Sequence, residues 1–551
     1  MSGANHRLKA VNWRLAAIEG IHPAHRSSAT MVACCPALPP DAIFGSLLGM
    51  TKPLRLAAAI FLLATGAGRP LPTDPDTRAW WSITSDLSDD AMAGRDSGSA
   101  AYERAAKMVA RRFADAGLKP AGDNGTWFQR VPMEELRVTG ATIEAGRRPL
   151  RFLHDITVSP WPSMPTTLDV PIAYRGYCAT AALGDVRGKA VICHGTHRAG
   201  LPSDAQRLAA AQAAGAAALI TIADPGFAVE PPRWPYAYAR TVWLKGSSPE
   251  SSGPLRATLN AAALNTVIFG SGRHADQLIA DGAAGKPLPS FDATGRFRMR
   301  LALAQASISA PNVLGTLPGR DPAAAAQTIV LSAHLDGYGP GEPVAGDSIY
   351  NGTLDDAAYV ALLIRLAERR AGTGYRRPVL FAAFTGEEKG LLGARWFVAH
   401  PTIARSAIAA DINLDQLRPI FPLRLLTVHA LDDTTLGDDA RGVAGAMGIA
   451  VQHDPEPERG LLRRADQWPF LQAGIPATAF VFGYTPGSGS ERIYRRWYQT
   501  GYHRPQDDLA QPIDWQAATD FNRFFYTLAA RVADQPNPPM WKQGSPLRAM
   551  P

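Results

Sequence analysis

The chain has 551 residues, more than one hydrophobic core usually organises, so two or three structural units are expected. Its 46% hydrophobic and 19% charged content is ordinary for a globular protein and offers no later segment apolar enough to span a bilayer. The net charge of +7 would suit a polyanion, but residues 1–68 set Arg7, Lys9, Arg14, Arg26, Lys52 and Arg55 against only Glu19 and Asp41, and the other basic residues form no run; nucleic-acid binding is thereby disfavoured.

From Met50 the chain reads MTKPLRLAAAIFLLATGAGRPLP. Lys52 and Arg55 form a positive start, Leu56 to Leu63 an apolar stretch and Ala64 to Gly68 a small-residue exit, the pattern of a secretory signal over 50–68. A start at Met50 makes residues 1–49 an upstream mis-start, and export places the mature chain in a periplasm or outside the cell. Cys34 and Cys35 fall before that start. Cys178 and Cys193 can form one disulfide in an oxidising compartment, or stay as two buried thiols.

Pro70 to Pro75 is expected to be a linker. Helical spacing predicts helices over Thr77–Leu87 and Tyr102–Ala116, the second ended by Gly117. Val170–Tyr174 and Lys189–Cys193 predict short strands, followed by an alanine-rich helix Asp204–Ala214 and a strand Ala216–Ile222. The Pro-, Gly- and Ser-rich stretch 161–300 is expected to be an insert between an N-terminal part, 69–160, and a core, 301–540. In that core, strands are predicted at Thr328–Ala333, Pro378–Phe384, Ile408–Leu414 and Ile475–Phe482, and helices at Asp356–Arg369 and Gly390–His400. Such alternation predicts an α/β fold with a mixed, mostly parallel sheet sandwiched by helices. The Pro-rich tail, including 541–551, is expected to run over the surface.

The polar groups sit at the carboxyl ends of these strands, where open α/β sheets bind ligands. His334 and Asp336 follow the first, Glu387 and Glu388 the second, and Asp415 ends the third, while Asp355 and Asp356 open the intervening helix. Singly, each has a bland reading: a surface histidine beside a solvated acid, a helix cap, loop charge. Together, imidazole and several carboxylates on one rim repel unless cations neutralise them, and such a donor set suits zinc. A pair of dications sharing one carboxylate fits this density of charge.

The motifs AHLDG, NGTLDDAA, FTGEEKGLLGA, AADINLDQ and GYHRPQDDL resemble those of the co-catalytic zinc exopeptidases of metallopeptidase family 28. The segment DAMAGRDSGSAAYERAAKMVARRFADAGLKPAGD resembles that family's N-terminal part, and YRGYCATA with GDVRGKAVIC resembles a β-rich protease-associated domain, which would be the insert. The resemblance implies two Zn²⁺ per chain, with Asp355 bridging, His334 and Glu388 completing one site, and Asp415 and His503 the other. It also implies that Asp336 orients His334, that Glu387 is the general base, and that the Asp355–Asp356 peptide bond is cis. Tyr502, before the last ligand, would be an oxyanion donor or a packing aromatic, and Arg464 a substrate contact or a surface arginine. Gln416, Leu417, Ala465 and Gln467 depart from the family's usual residues without removing a ligand.

The implied activity is removal of N-terminal residues from peptides or proteins with a free N-terminus, with no membrane span after signal removal. A carboxypeptidase like glutamate carboxypeptidase II, a glutaminyl cyclase and a silent receptor-like protein are the rivals. A serine hydrolase is disfavoured because no G-x-S-x-G stretch stands between a strand and a helix. The sequence carries no signal for oligomeric state.

Overall fold

The computed structural model describes residues 71–223, 234–247, 249, 252–415 and 417–548. The expected upstream segment, the signal sequence, Cys34, Cys35, Gln416 and the last three residues lie outside the described residues. No helix among the described residues is long and apolar enough to cross a membrane.

The elements that position the site are, in chain order, α1 (Pro75–Ser88), α2 (Ala100–Asp115), β1 (Phe128–Ala145), β2 (Ile156–Val158), β3 (Thr167–Arg175), β4 (Ala190–His194), β5 (Ala218–Ile222), β6 (Leu255–Leu259) and β7 (Ser290–Leu317). They continue with β8 (Thr328–His334), α3 (Ala358–Arg370), β9 (Val379–Phe384), α4 (Leu392–Ala399), β10 (Ile408–Leu414), β11 (Ala477–Thr478), α5 (Gly489–Thr500) and α6 (Trp515–Asp534). The strands run in the order β11-β10-β8-β9-β7-β3-β4-β5-β6-β2, with β1 alongside β7. β11, β10, β8 and β9 are mutually parallel, while β7 meets β9 antiparallel. The sheet is therefore mixed and mostly parallel at the core.

Continuous apolar strands mean that both faces are covered. Ile329, Leu331 and Ala333 of β8 and Val379, Phe381 and Ala383 of β9 join a core with α1, α2, α3 and α6. Their alternating neighbours Val330, Leu380, Ala382 and Phe384 pack instead with Ala394, Phe397 and Val398 of α4. The period of two sends successive side chains to opposite helical layers.

Several elements differ from their sequence-based limits. Pro75 is not linker: it stands at the start of α1, where a missing N–H costs nothing, behind Asp74, whose side chain accepts the Thr77 N–H at 2.8 Å. The strand expected over Ile475–Phe482 is two strands, because Ala477–Thr478 pairs with β10 whereas Phe480–Phe482 turns away to pair with Leu425–Val428. The tail docks as well as crossing the surface, through buried Leu547 and through Trp541, whose Nε1–H donates to the Gly474 carbonyl at 2.7 Å.

The largest difference is β7, whose 28 residues run straight through the expected boundary at 300/301. Its first half pairs with β3, its last residues pair with β9, and β1 follows it over most of its length. Residues between Val138 and Leu301 assemble a second apolar core around Ile156, Trp161, Ile192, Ile220, Leu264 and Phe297. In this part Cys178 and Cys193 form a disulfide closing a sequence separation of 15. A loop of that size contributes about 3 kcal/mol by restricting the unfolded chain. Cys178→Ala/Cys193→Ala is accordingly expected to lower unfolding free energy by about that amount in urea titrations; an unchanged midpoint would show the bridge to be energetically idle.

Candidate metal centre

β8 lies between β9 and β10 in the sheet, so parallel pairing sets three carboxyl ends side by side. His334 is the last residue of β8, Asp415 follows β10, and Glu387 and Glu388 lie in the turn after β9. Asp355 and Asp356 do not open the helix as expected. They occupy a wide turn, Thr353–Ala357, with non-helical backbone angles and a cis bond between them, and α3 begins at Ala358. Gly352 enters that turn at φ 59°, and a Cβ there would collide with the Asp355 carbonyl oxygen, so only glycine fits.

His503 arrives from far along the chain. Its loop is tied to the Asp355 turn by Asp507, whose carbonyl and Oδ1 accept the N–H groups of Thr353 and Leu354 at 3.0 and 2.9 Å. Burial pushes the Asp507 carboxyl up to about 7.

Contacts sort the side chains into two halves around Asp355. His334 Nε2 is 3.3 Å from Asp355 Oδ1 and 3.9 Å from Asp415 Oδ1. His503 Nε2 is 3.7 Å from both Asp355 Oδ2 and Glu388 Oε2. Two overlapping groups offer ligand atoms within 4.8 Å of one another: His334, Asp355 and Glu388, and His334, Asp356 and Asp415. All five side chains that the sequence singled out thus converge. Apart from those to Asp355, the shortest contacts join His334 with Asp415 and His503 with Glu388, and the first of the two groups also sets His334 with Glu388, the pairing the resemblance implied.

Hydrogen bonds set the tautomers. His334 Nδ1 lies 3.0 Å from the Asp336 backbone carbonyl, which can only accept, so Nδ1 carries a proton and Nε2 is the atom turned toward Asp355. Asp336 orients His334 through that carbonyl; its carboxylate, 3.8 Å from Nδ1, accepts the Glu387 N–H at 3.1 Å. His503 is flanked by two hydroxyls, Tyr238 at 3.2 Å from Nδ1 and Tyr338 at 3.3 Å from Nε2. Tyr502 stacks on the His503 ring with centroids 3.6 Å apart, and its hydroxyl oxygen accepts from Arg464 Nη2 at 3.4 Å. Arg464 is exposed but reaches the site rim through that bond.

The charge balance calls for cations. Burial, reinforced by neighbouring acids, holds the carboxyls of Asp356, Glu387, Glu388 and Asp466 well above the usual range. Burial alone would push the His334 imidazole down, but Asp356, Glu387, Asp355 and Asp415 together hold it far up. Burial dominates at His503, which falls to about 3 and is neutral, as a ligand imidazole must be. Among the described residues, His334 Nε2, Asp355 Oδ2 and Glu388 Oε1 are buried without a hydrogen-bond partner. Orphaned donors of this kind, in a nitrogen-and-carboxylate set, fit divalent zinc.

Residues 312–529 match the model of Peptidase family M28. That segment is similar to the core of the M28 peptidases. Leupeptin-inactivating enzyme 1 of Streptomyces exfoliatus is 24% identical over 238 residues, 41% of this chain and 50% of that protein. The alkaline phosphatase isozyme conversion protein of Escherichia coli (strain K12) is 33% identical over 159 residues, 27% of this chain and 45% of that one. The chain thus spans about half the length of the curated relatives it matches. Among solved structures, BSAP, a zinc aminopeptidase from Bacillus subtilis, superposes with a TM-score of 0.55 at 18% identity, covering 85% of this chain and 98% of that one; the two share a fold.

Sequence reading missed three groups around this site. Arg95 is fully buried and donates to the carbonyls of Leu335, Leu87, Asn351 and Gly352 at 2.7–2.9 Å, pinning the turns after β8 and before Asp355. Tyr238 comes from the connection between β5 and Arg240–Leu244, and Arg418 approaches Asp355 from beyond β10. The only local signal was an isolated Arg or Tyr among ordinary neighbours.

Proposed function

We propose that the protein is an exported aminopeptidase that uses two zinc ions to remove N-terminal residues from peptides. The observation that carries this reading is the convergence of His334, Asp355, Glu388, Asp415 and His503, with buried ligand atoms left unsatisfied, inside an M28 core. Asp355 would bridge, His334 and Asp415 would hold one ion, and Glu388 and His503 the other. When bound, the ions supply Lewis acidity toward water and the scissile carbonyl.

The protein's own groups do the rest. Glu387, anchored by its N–H on Asp336, accepts a proton from the attacking water at its carboxylate and returns it to the departing amine. Tyr502 receives a hydrogen bond from Arg464 on its oxygen, which leaves its own O–H to donate to the developing oxyanion. Tyr502→Phe is expected to lower kcat about 100-fold with little change in KM; a parallel rise in KM alone would assign it to packing. The Cys178–Cys193 disulfide supports an oxidising compartment, and therefore export. The second core around β3 to β6 supports a protease-associated-type insert.

Amino-acid anilides and peptides with free or acetylated N-termini, assayed with chelator and then with added zinc, test the reading. Cleavage lost on acetylation and on chelation, and restored by zinc, is expected. Cleavage of acetylated peptides from their C-terminus would make the protein a carboxypeptidase, and cyclisation of N-terminal glutamine a cyclase.

A further inference from the structure

Arg418 lies three residues beyond Asp415, and its side chain is fully buried. Its guanidinium carbon sits 4.4 Å from the centre of the Trp497 ring and 5.8 Å from that of Tyr502, and Nη2 stands 3.5 Å from Asp355 Oδ2. None of Nε, Nη1 and Nη2 makes a hydrogen bond among the described residues. An arginine stays charged in proteins, and a buried charge without hydrogen bonds persists only beside compensating charge. Asp355 is the nearest such charge, with Asp415 a weaker contributor, and the two oxygens of Asp355 are not equivalent. Oδ1 faces His334, whereas Oδ2 faces both His503 and Arg418.

We infer that Arg418 is a positioning residue that makes the two cation positions unequal, weakening the one formed by Glu388 and His503. The inference rests on the two-ion reading above. A fixed positive charge beside Asp355 Oδ2 competes with any cation on that oxygen, and burial leaves the repulsion unscreened by salt. The His334–Asp415 position draws on Oδ1 and lies on the other side of the carboxylate. It fills first and empties last. The Glu388–His503 position is then the exchangeable one, responsive to the free zinc concentration around an exported enzyme.

Calorimetric titration of chelator-treated full-length protein with Zn²⁺ tests this. The wild type is expected to bind two ions with separated affinities. Arg418→Met, close in length but uncharged, is expected to tighten the weaker site by about tenfold or more and leave the stronger one in place. Arg418→Lys, which keeps the charge, is expected to retain the separation. Should Arg418→Met fail to give a native circular dichroism spectrum, Arg418→Gln takes its place. Two ions bound with affinities that Arg418→Met leaves unchanged or weakens overturn the inference alone. At most one ion bound by both wild type and variant overturns the two-ion reading and the inference with it.

Discussion

Glu387→Gln is expected to lower turnover by about 10²–10⁴-fold while the protein still binds two zinc ions. The amide keeps the size of the carboxylate, and the backbone N–H that anchors this residue on Asp336 is untouched by the change. What it removes is the ability to take a proton from water. KM should move little, because the loss falls on the chemical step. Metal content by atomic spectroscopy and steady-state kinetics on one anilide separate the roles. Undiminished kcat would remove Glu387 as base, and loss of zinc would make it a ligand.

Asp355→Ala is expected to be as severe by a different route. Its two oxygens face the two histidines separately, so its loss strips a donor from both halves of the site. It also deprives buried Arg418 of the carboxylate beside it. Zinc content should fall below that of any variant of a single terminal ligand. Loss of several kcal/mol of charge stabilisation at a tenfold rate for each ~1.4 kcal/mol puts kcat/KM down by about 10³-fold or more. Ligands that bind only the folded state raise its stability, so zinc should raise the wild-type Tm and leave that of Asp355→Ala unmoved. A variant that still binds two ions and melts higher with zinc would refute Asp355 as the shared ligand.

Both expectations use residues that were legible in the primary structure, and their legibility has a cause. β9 is a continuous apolar run and β8 and β10 are mostly apolar ones, broken by Ser332 and by Asp411 and Asn413, and the groups at their carboxyl ends are within a few residues of them. Asp415 follows β10 directly, so its place on the rim follows from the strand alone. The Asp355 turn was less readable. Two acids before an apolar helix look like capping, and only the approach of Asp507 from the His503 loop shows why the chain turns wide there instead.

Arg95, Tyr238 and Arg418 were not legible. Each acts on the site from a segment remote in sequence or turned back on itself, and a buried arginine reads in sequence like an exposed one. β7 was obscured for a related reason. Its first half is half-exposed and polar, its last part is buried, and no single period describes a strand that leaves one sheet environment for another.

The sequence by itself determined the strand–helix alternation and the rim on which the acids and His334 collect, whereas His503 joined the set of five only through the resemblance of its motif. These depend on local periodicity and on chemistry that each residue carries with it. Only the tertiary structure decided how His503 meets the rim, the placing of Tyr238 and Arg418 against the site, and the continuity of β7 from Ser290 to Leu317. Those are distances between segments up to hundreds of residues apart, and they exist only once the sheet order and the packing of the loops have been set.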